Sequence, residues 1–213
     1  DSVEMASLVK KSEENSEINE NFSTLSFIAK VGYGFGHVFN DLCATVWFSY
    51  TLLFLKDVLN MPEQAGSFMM LGQVTDAIFS AIVGYMTDRY STKRNWHIMG
   101  TLIVAVSFPM LFMLQRDVLP YWANLFYFSV FITVFQCGWA VVQISHLAIL
   151  PELSMTHTDR SELNSVRYCM SIFSNITVFI VAWLVLHIRN RSADRIASTD
   201  FDKFRVISEI QLN

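Results

Sequence analysis

Five long apolar blocks, separated by short polar connections, dominate the chain after a polar start. A bilayer core about 30 Å thick is crossed by roughly 20 apolar residues of helix, so each block is long enough to span it. The predicted spans run from Phe27 to Leu55, Gln64 to Thr87, Trp96 to Leu114, Trp122 to Leu150 and Leu163 to Ile188. Backbone inside hydrocarbon must satisfy its own hydrogen bonds, which makes these segments helices and the fold class all-α. The connections "KDVLNMPE", "DRYSTKRN", "QRDVLPY" and "PELSMTHTDRSE" are short, so consecutive helices are expected to be antiparallel neighbours. Three regions follow. Residues 1–25 form an acidic tail expected to be disordered, residues 26–188 a transmembrane bundle, and residues 189–213 a polar loop leading to "FRVISEIQLN", which starts like a sixth helix and stops. An odd number of spans followed by an incomplete one is expected of a truncated chain, and the chain begins at Asp1.

Composition agrees with this pattern. Hydrophobic residues make up 53% of the 213 and charged residues 16%, too apolar for a water-soluble domain of this length. The net charge of −4 comes largely from "EENSEINEN", and nothing in the charge distribution points to nucleic acid. Cys43, Cys137 and Cys169 lie in apolar stretches without CxxC spacing, which reads as small buried hydrophobes and neither as a disulfide framework nor as a zinc site. The polar first 25 residues and the length of the first apolar block argue against a cleavable signal peptide. Arg89, Lys93 and Arg94 after the second span, with Lys10, Lys11 and Lys30 before the first, predict a cytoplasmic N-terminus. Arg189, Arg191 and Arg195 after the fifth span oppose that orientation, and Asn190-Arg191-Ser192 forms a glycosylation sequon on the same side.

Polar residues inside the spans carry the functional signal, because an ionisable group at mid-bilayer costs about 2.5 to 3.5 kcal/mol on insertion scales and so faces a cavity or another helix. His37, Asn40 and Asp41 stand at i, i+3 and i+4, on one face of the first helix, with Tyr33 and Thr45 a turn to either side. They read as a solute or proton site, or as a His37–Asp41 packing pair. Asp76 lies near the middle of the second span in a stripe with Gly72, Ser80 and Gly84, where it reads as a coupling carboxylate or a structural hydrogen bond. On the fourth span, Gln136, Trp139, Gln143 and His146 share a face that suits hydrogen bonding and stacking of a small polar solute. His37 and His146 are also expected to sense pH from the lumenal side of an acidic organelle. No nucleophile with a paired base and no metal cluster falls on matched faces, so an enzyme is not expected.

"GYMTDRYSTKRNW", with Gly84, Asp88 and Arg89, resembles the loop that joins the second and third helices in the major facilitator superfamily, where it forms a cytoplasmic gate. Ser91 stands for the usual Gly, and Lys93-Arg94 is displaced by one. "GHVFNDLCATVWF", "LGQVTDAIFSAIVGYMTDR", "FQCGWAVVQISHLAILPEL", "SNITVF" and "AWLVLHI" extend the resemblance from Val31 to Ile188. It points to the lysosomal and melanosomal cysteine transporter branch of that superfamily and, more distantly, to melibiose-type glycoside-pentoside-hexuronide:cation symporters.

The resemblance implies an N-terminal half of a twelve-helix transporter, with the C-terminal half missing. It implies cysteine as the small polar solute, alternating access, and a multi-pass location in the lysosomal or melanosomal membrane. It assigns Asp41 to the solute and Asp76 to coupling with H+ or Na+, with no cofactor; His37, Asn40, Gln143 and His146 join Asp41 as candidate solute residues on the helix-face reading above. Gly84, Asp88, Arg89, Arg94, Glu152 and Arg160 fall to the gate. Ser80 and Gln143 stand where the symporters carry further carboxylates, which favours protons, or facilitated transport without coupling, over sodium. Two other functions stay open: a non-transporting half that binds a full-length homologue, and sugar:cation symport.

Overall fold

A computed structural model describes residues 25–90, 92–115, 118–154, 156–188, 196 and 200–211. The acidic start through residue 24, the basic residues Arg189, Arg191 and Arg195, and the Asn190 sequon lie outside the described residues. Among the described residues, helices are the only regular structure. They are α1 (Phe27–Val46), α2 (Pro62–Arg89), α3 (Lys93–Met113), α4 (Tyr121–Leu153), α5 (His157–Ile188) and α6 (Phe201–Ile210). The helical course of α1 continues through two π-helical turns, Trp47–Thr51 and Phe54–Val58.

Four helices, α2 to α5, are long and apolar enough to cross a membrane by length and composition. In α1 the polar Lys30, His37, Asn40 and Asp41 dilute the apolar run. The ten residues of α6 rise only about 15 Å, half of a bilayer core.

Local chemistry sets the helix ends. The Ser26 hydroxyl accepts from the Ala29 amide at 3.3 Å and caps α1. Asn60 takes a left-handed backbone (φ 51°), a conformation Asn tolerates, and ends the first helical run before Pro62 opens α2. Two boundaries differ from the apolar pattern. α4 runs through Pro151 to Leu153, and α5 begins at His157, six residues before the apolar run starts. Thr156 explains the second difference: its Oγ1 accepts from the Asp159 amide at 3.1 Å and donates to the Asp159 carboxylate at 2.8 Å. This cap starts a polar helical turn and a half that hydropathy alone cannot see.

The helices do not pair simply in chain order. α4 packs along both α2 and α3, α1 packs along α5, and α6 rests on α3 and α5. The expectation that short loops make neighbours of consecutive helices holds for α3 and α4; α4 and α5 touch only sparingly. Short loops fix direction, whereas small residues decide which backbones come close. A side chain at Gly100 of α3 would meet Val141 and Val142 of α4 at 2.8–2.9 Å, including the Val142 backbone nitrogen. Gly34 of α1 faces Val166 and Met170 of α5 at 2.9–3.0 Å in the same way.

The two ends of the bundle are held differently. At the end where α1, α3 and α5 begin, Lys30 pairs with Asp159 at 3.4 Å and with Glu162, and Lys93 pairs with Glu152 at 2.8 Å. At the opposite end Phe54 is fully buried against Phe112, Phe201 and Phe204.

Candidate functional site

α1 supplies the floor of the site. As its i, i+3, i+4 spacing requires, it presents His37, Asn40 and Asp41 together, with His37 and Asn40 buried and Asp41 partly so. One Asp41 oxygen accepts from the Ser171 hydroxyl of α5 at 2.7 Å, and the other lies 3.4 Å from His37 Nε2. The same His37 nitrogen lies 3.4 Å from the Arg167 guanidinium of α5. A carboxylate and a guanidinium therefore flank one imidazole, and Arg167 Nε is buried without a hydrogen-bond partner.

α4 and α3 supply the wall. The His146 ring stacks on Tyr33 with centroids 4.2 Å apart and on His37 at 4.8 Å. Its Nε2 lies 2.9 Å from the Tyr33 carbonyl, and the Tyr33 hydroxyl donates to the His146 carbonyl at 3.2 Å. His97 of α3 adds a third imidazole, 5.5 Å from His146, with Nε2 at 3.0 Å from the Gly36 carbonyl. Gln143 interacts with the His37 side chain from one turn before His146. Among the described residues no group of three His, Cys, Asp or Glu side chains is arranged to hold a metal ion.

Five of the sequence-derived solute residues thus lie close to one another: His37, Asn40, Asp41, Gln143 and His146. Both amide atoms of Asn40 are buried and lack hydrogen-bond partners. The Asp76 carboxylate accepts from Ser80 on its own helix at 3.2 Å, and α2 meets the first helical run at Trp47, in its π-helical continuation, beside Gly72. His97 lies four residues into α3 and His146 seven residues from the end of α4, toward the end of the bundle where Lys93 pairs with Glu152.

Arg167, Ser171 and His97 were not singled out by the apolar pattern. Counted from Leu163, Arg167 is one turn inside a helix, an unremarked flanking cation. Counted from His157, it is ten residues and about 15 Å deep.

Three of the six residues expected at the gate, Asp88, Arg94 and Glu152, line a cavity of about 540 Å³ together with Thr87, Thr92, Lys93 and Ile149. The ion pair that closes its side is Lys93–Glu152, between α3 and α4; Arg94 lines the wall. Arg89 is exposed, Arg160 donates to the Ser154 hydroxyl at 3.0 Å, and Gly84 faces open space. Because the Glu152 side chain is 59% exposed, Lys93→Ala is expected to cost under about 1 kcal/mol of stability, checked by thermal unfolding in detergent.

Apolar spanning helices around a partly buried cluster of opposite charges, turned toward other helices instead of lipid, are the arrangement of a membrane transport protein. A family profile described as MFS/sugar transport protein matches residues 32–204. The chain is 38% identical over 205 residues to human major facilitator superfamily domain-containing protein 12, covering 86% of this chain and 43% of the relative. It is 42% identical over 175 residues to the mouse protein of that name, covering 78% and 37%. An uncharacterized symporter of Synechocystis is 28% identical over 170 residues, covering 76% and 31%. The chain belongs to the MFS/sugar transport family of the major facilitator superfamily. It spans less than half the length of each of these curated relatives.

Proposed function

We propose that this chain forms the N-terminal half of an alternating-access transporter for a small zwitterionic solute, with cysteine the leading candidate. The observation that carries this reading is the pair of opposite charges, Asp41 and Arg167, on either side of His37. An α-amino acid presents an ammonium and a carboxylate a few ångströms apart, and the two side chains offer the complementary charges. Tyr33, Asn40, Gln143 and His146 complete a wall that accepts hydrogen bonds and stacks. The proposed arrangement places five spans in the bilayer, α1 with its π-helical continuation being the first, with the N-terminus cytoplasmic and the membrane that of a lysosome or melanosome. The second half, supplied by the rest of a longer chain or by a homologue, closes the cavity from the other side, and the two halves rock about it. Asp76 remains a coupling candidate with H+ or Na+.

Cysteine binding to the chain in lipid nanodiscs tests the reading, with cysteamine, which lacks the carboxylate, as comparison. Arg167→Gln is expected to weaken cysteine binding by roughly tenfold or more while cysteamine changes by less than about twofold. Equal losses for both would remove Arg167 from the carboxylate.

A further inference from the structure

His37 Nε2 has two partners that it cannot satisfy at once. A guanidinium only donates and a carboxylate only accepts, so this nitrogen is a bare lone pair when it bonds Arg167 and an N–H when it bonds Asp41. Both partners stand at 3.4 Å, and Nδ1 of the same ring is buried without a partner. The neighbouring rings have no such choice. Backbone carbonyls accept from Nε2 of His146 and of His97, which fixes both as the Nε2–H form and leaves each Nδ1 a buried lone pair.

We propose that His37 is a proton-binding site that switches the solute site. Without the added proton, its Nε2 accepts from Arg167 and its own proton sits on Nδ1. One proton taken from the aqueous path converts it to imidazolium, whose new Nε2–H donates to Asp41 and whose bond to Arg167 is lost. The guanidinium is then free for an anionic group, such as a solute carboxylate. No bond in the solute is made or broken.

The groups that face His37 leave room for one proton at this place and not for two. Tyr33 and Asp41 come from α1, His97 from α3, Gln143 and His146 from α4 and Arg167 from α5. Asp41 is the anion among them, and of the ring nitrogens that carry no proton in this state only His37 Nε2 has a carboxylate to receive a new N–H. A second proton on the stacked His146 ring, 4.8 Å away, would be repelled by the first. Arg167 also repels the proton until an anion neutralises it, so proton and carboxylate promote each other's binding. That linkage rests on the solute reading above; the switch itself does not.

The experiment is nitrogen NMR of the whole histidine-labelled chain in lipid nanodiscs, titrated from neutral to acidic pH. His37 is expected to pass from Nδ1–H to the doubly protonated form while His97 and His146 keep the Nε2–H form. Arg167→Gln should raise its midpoint by about one pH unit, a tenfold gain in proton affinity, and Arg167→Lys, which retains the charge, should leave it within about half a unit. An Nε2–H form of His37 at every pH, or a midpoint indifferent to charge at position 167, overturns the switch. Calorimetry in two buffers of different ionisation enthalpy then reads the linkage, with about one proton taken up per cysteine and none per cysteamine expected. Cysteine binding without proton uptake overturns the linkage. No cysteine binding overturns the solute reading and the linkage together, and the nitrogen titration still decides the switch.

Discussion

Asp41→Asn is expected to abolish cysteine uptake into vesicles carrying the assembled transporter while the protein still inserts into the membrane. The amide keeps the shape of the carboxyl and can still meet the Ser171 hydroxyl, 2.7 Å away in the present arrangement. It loses the negative charge that faces the solute ammonium and offsets Arg167. Removing one partner of a fully buried ion pair costs about 3 to 5 kcal/mol, and Asp41 is partly exposed, so about 2 to 3 kcal/mol is expected, roughly 30- to 150-fold in solute affinity. Labelled-cysteine uptake reads the loss, and carbonate extraction of the membranes checks insertion. Uptake at the unsubstituted level would exclude Asp41 from the solute site.

Gly100→Ala is expected to lower stability by about 1 to 3 kcal/mol, the usual cost of forcing a methyl group into a packed interface. The new Cβ would sit 2.9 Å from the Val142 backbone nitrogen, so a rotamer change in the valines cannot relieve the clash and α3 must move off α4. Gly66→Ala on α2 is the matched control. Nothing lies within 4 Å of its Cβ position, and replacing a helical glycine there should be neutral or gain up to about 1 kcal/mol. Thermal unfolding of both variants in one detergent makes the comparison. Equal midpoints would mean that the α3–α4 contact relaxes freely.

Much of this arrangement was legible in the order of residues. The all-helical bundle follows from the apolar blocks, and the transporter family from the resemblance carried by segments such as "GYMTDRYSTKRNW". His37, Asn40 and Asp41 share a face because 3.6 residues per turn leaves no alternative. Meeting across helices is another matter. The proximity of Arg167 and Asp41 depends on α1 lying against α5, which Gly34 permits but no spacing within one helix announces. His97 is the second residue of the predicted third span, and only the α3–α1 contact turns it toward the Gly36 carbonyl.

The unlike ends of the bundle give ionic strength a direction. Dissolved salt screens attractions such as Lys93–Glu152, whose glutamate is more than half exposed, and reaches the more enclosed Lys30–Asp159 pair less. A strongly excluded salt such as sulfate strengthens apolar burial, and the phenylalanine cluster around Phe54 tightens with it. Raising sulfate therefore loosens the clasped end while firming the aromatic one, so the same solution change that stiffens one mouth of the helix bundle eases the other.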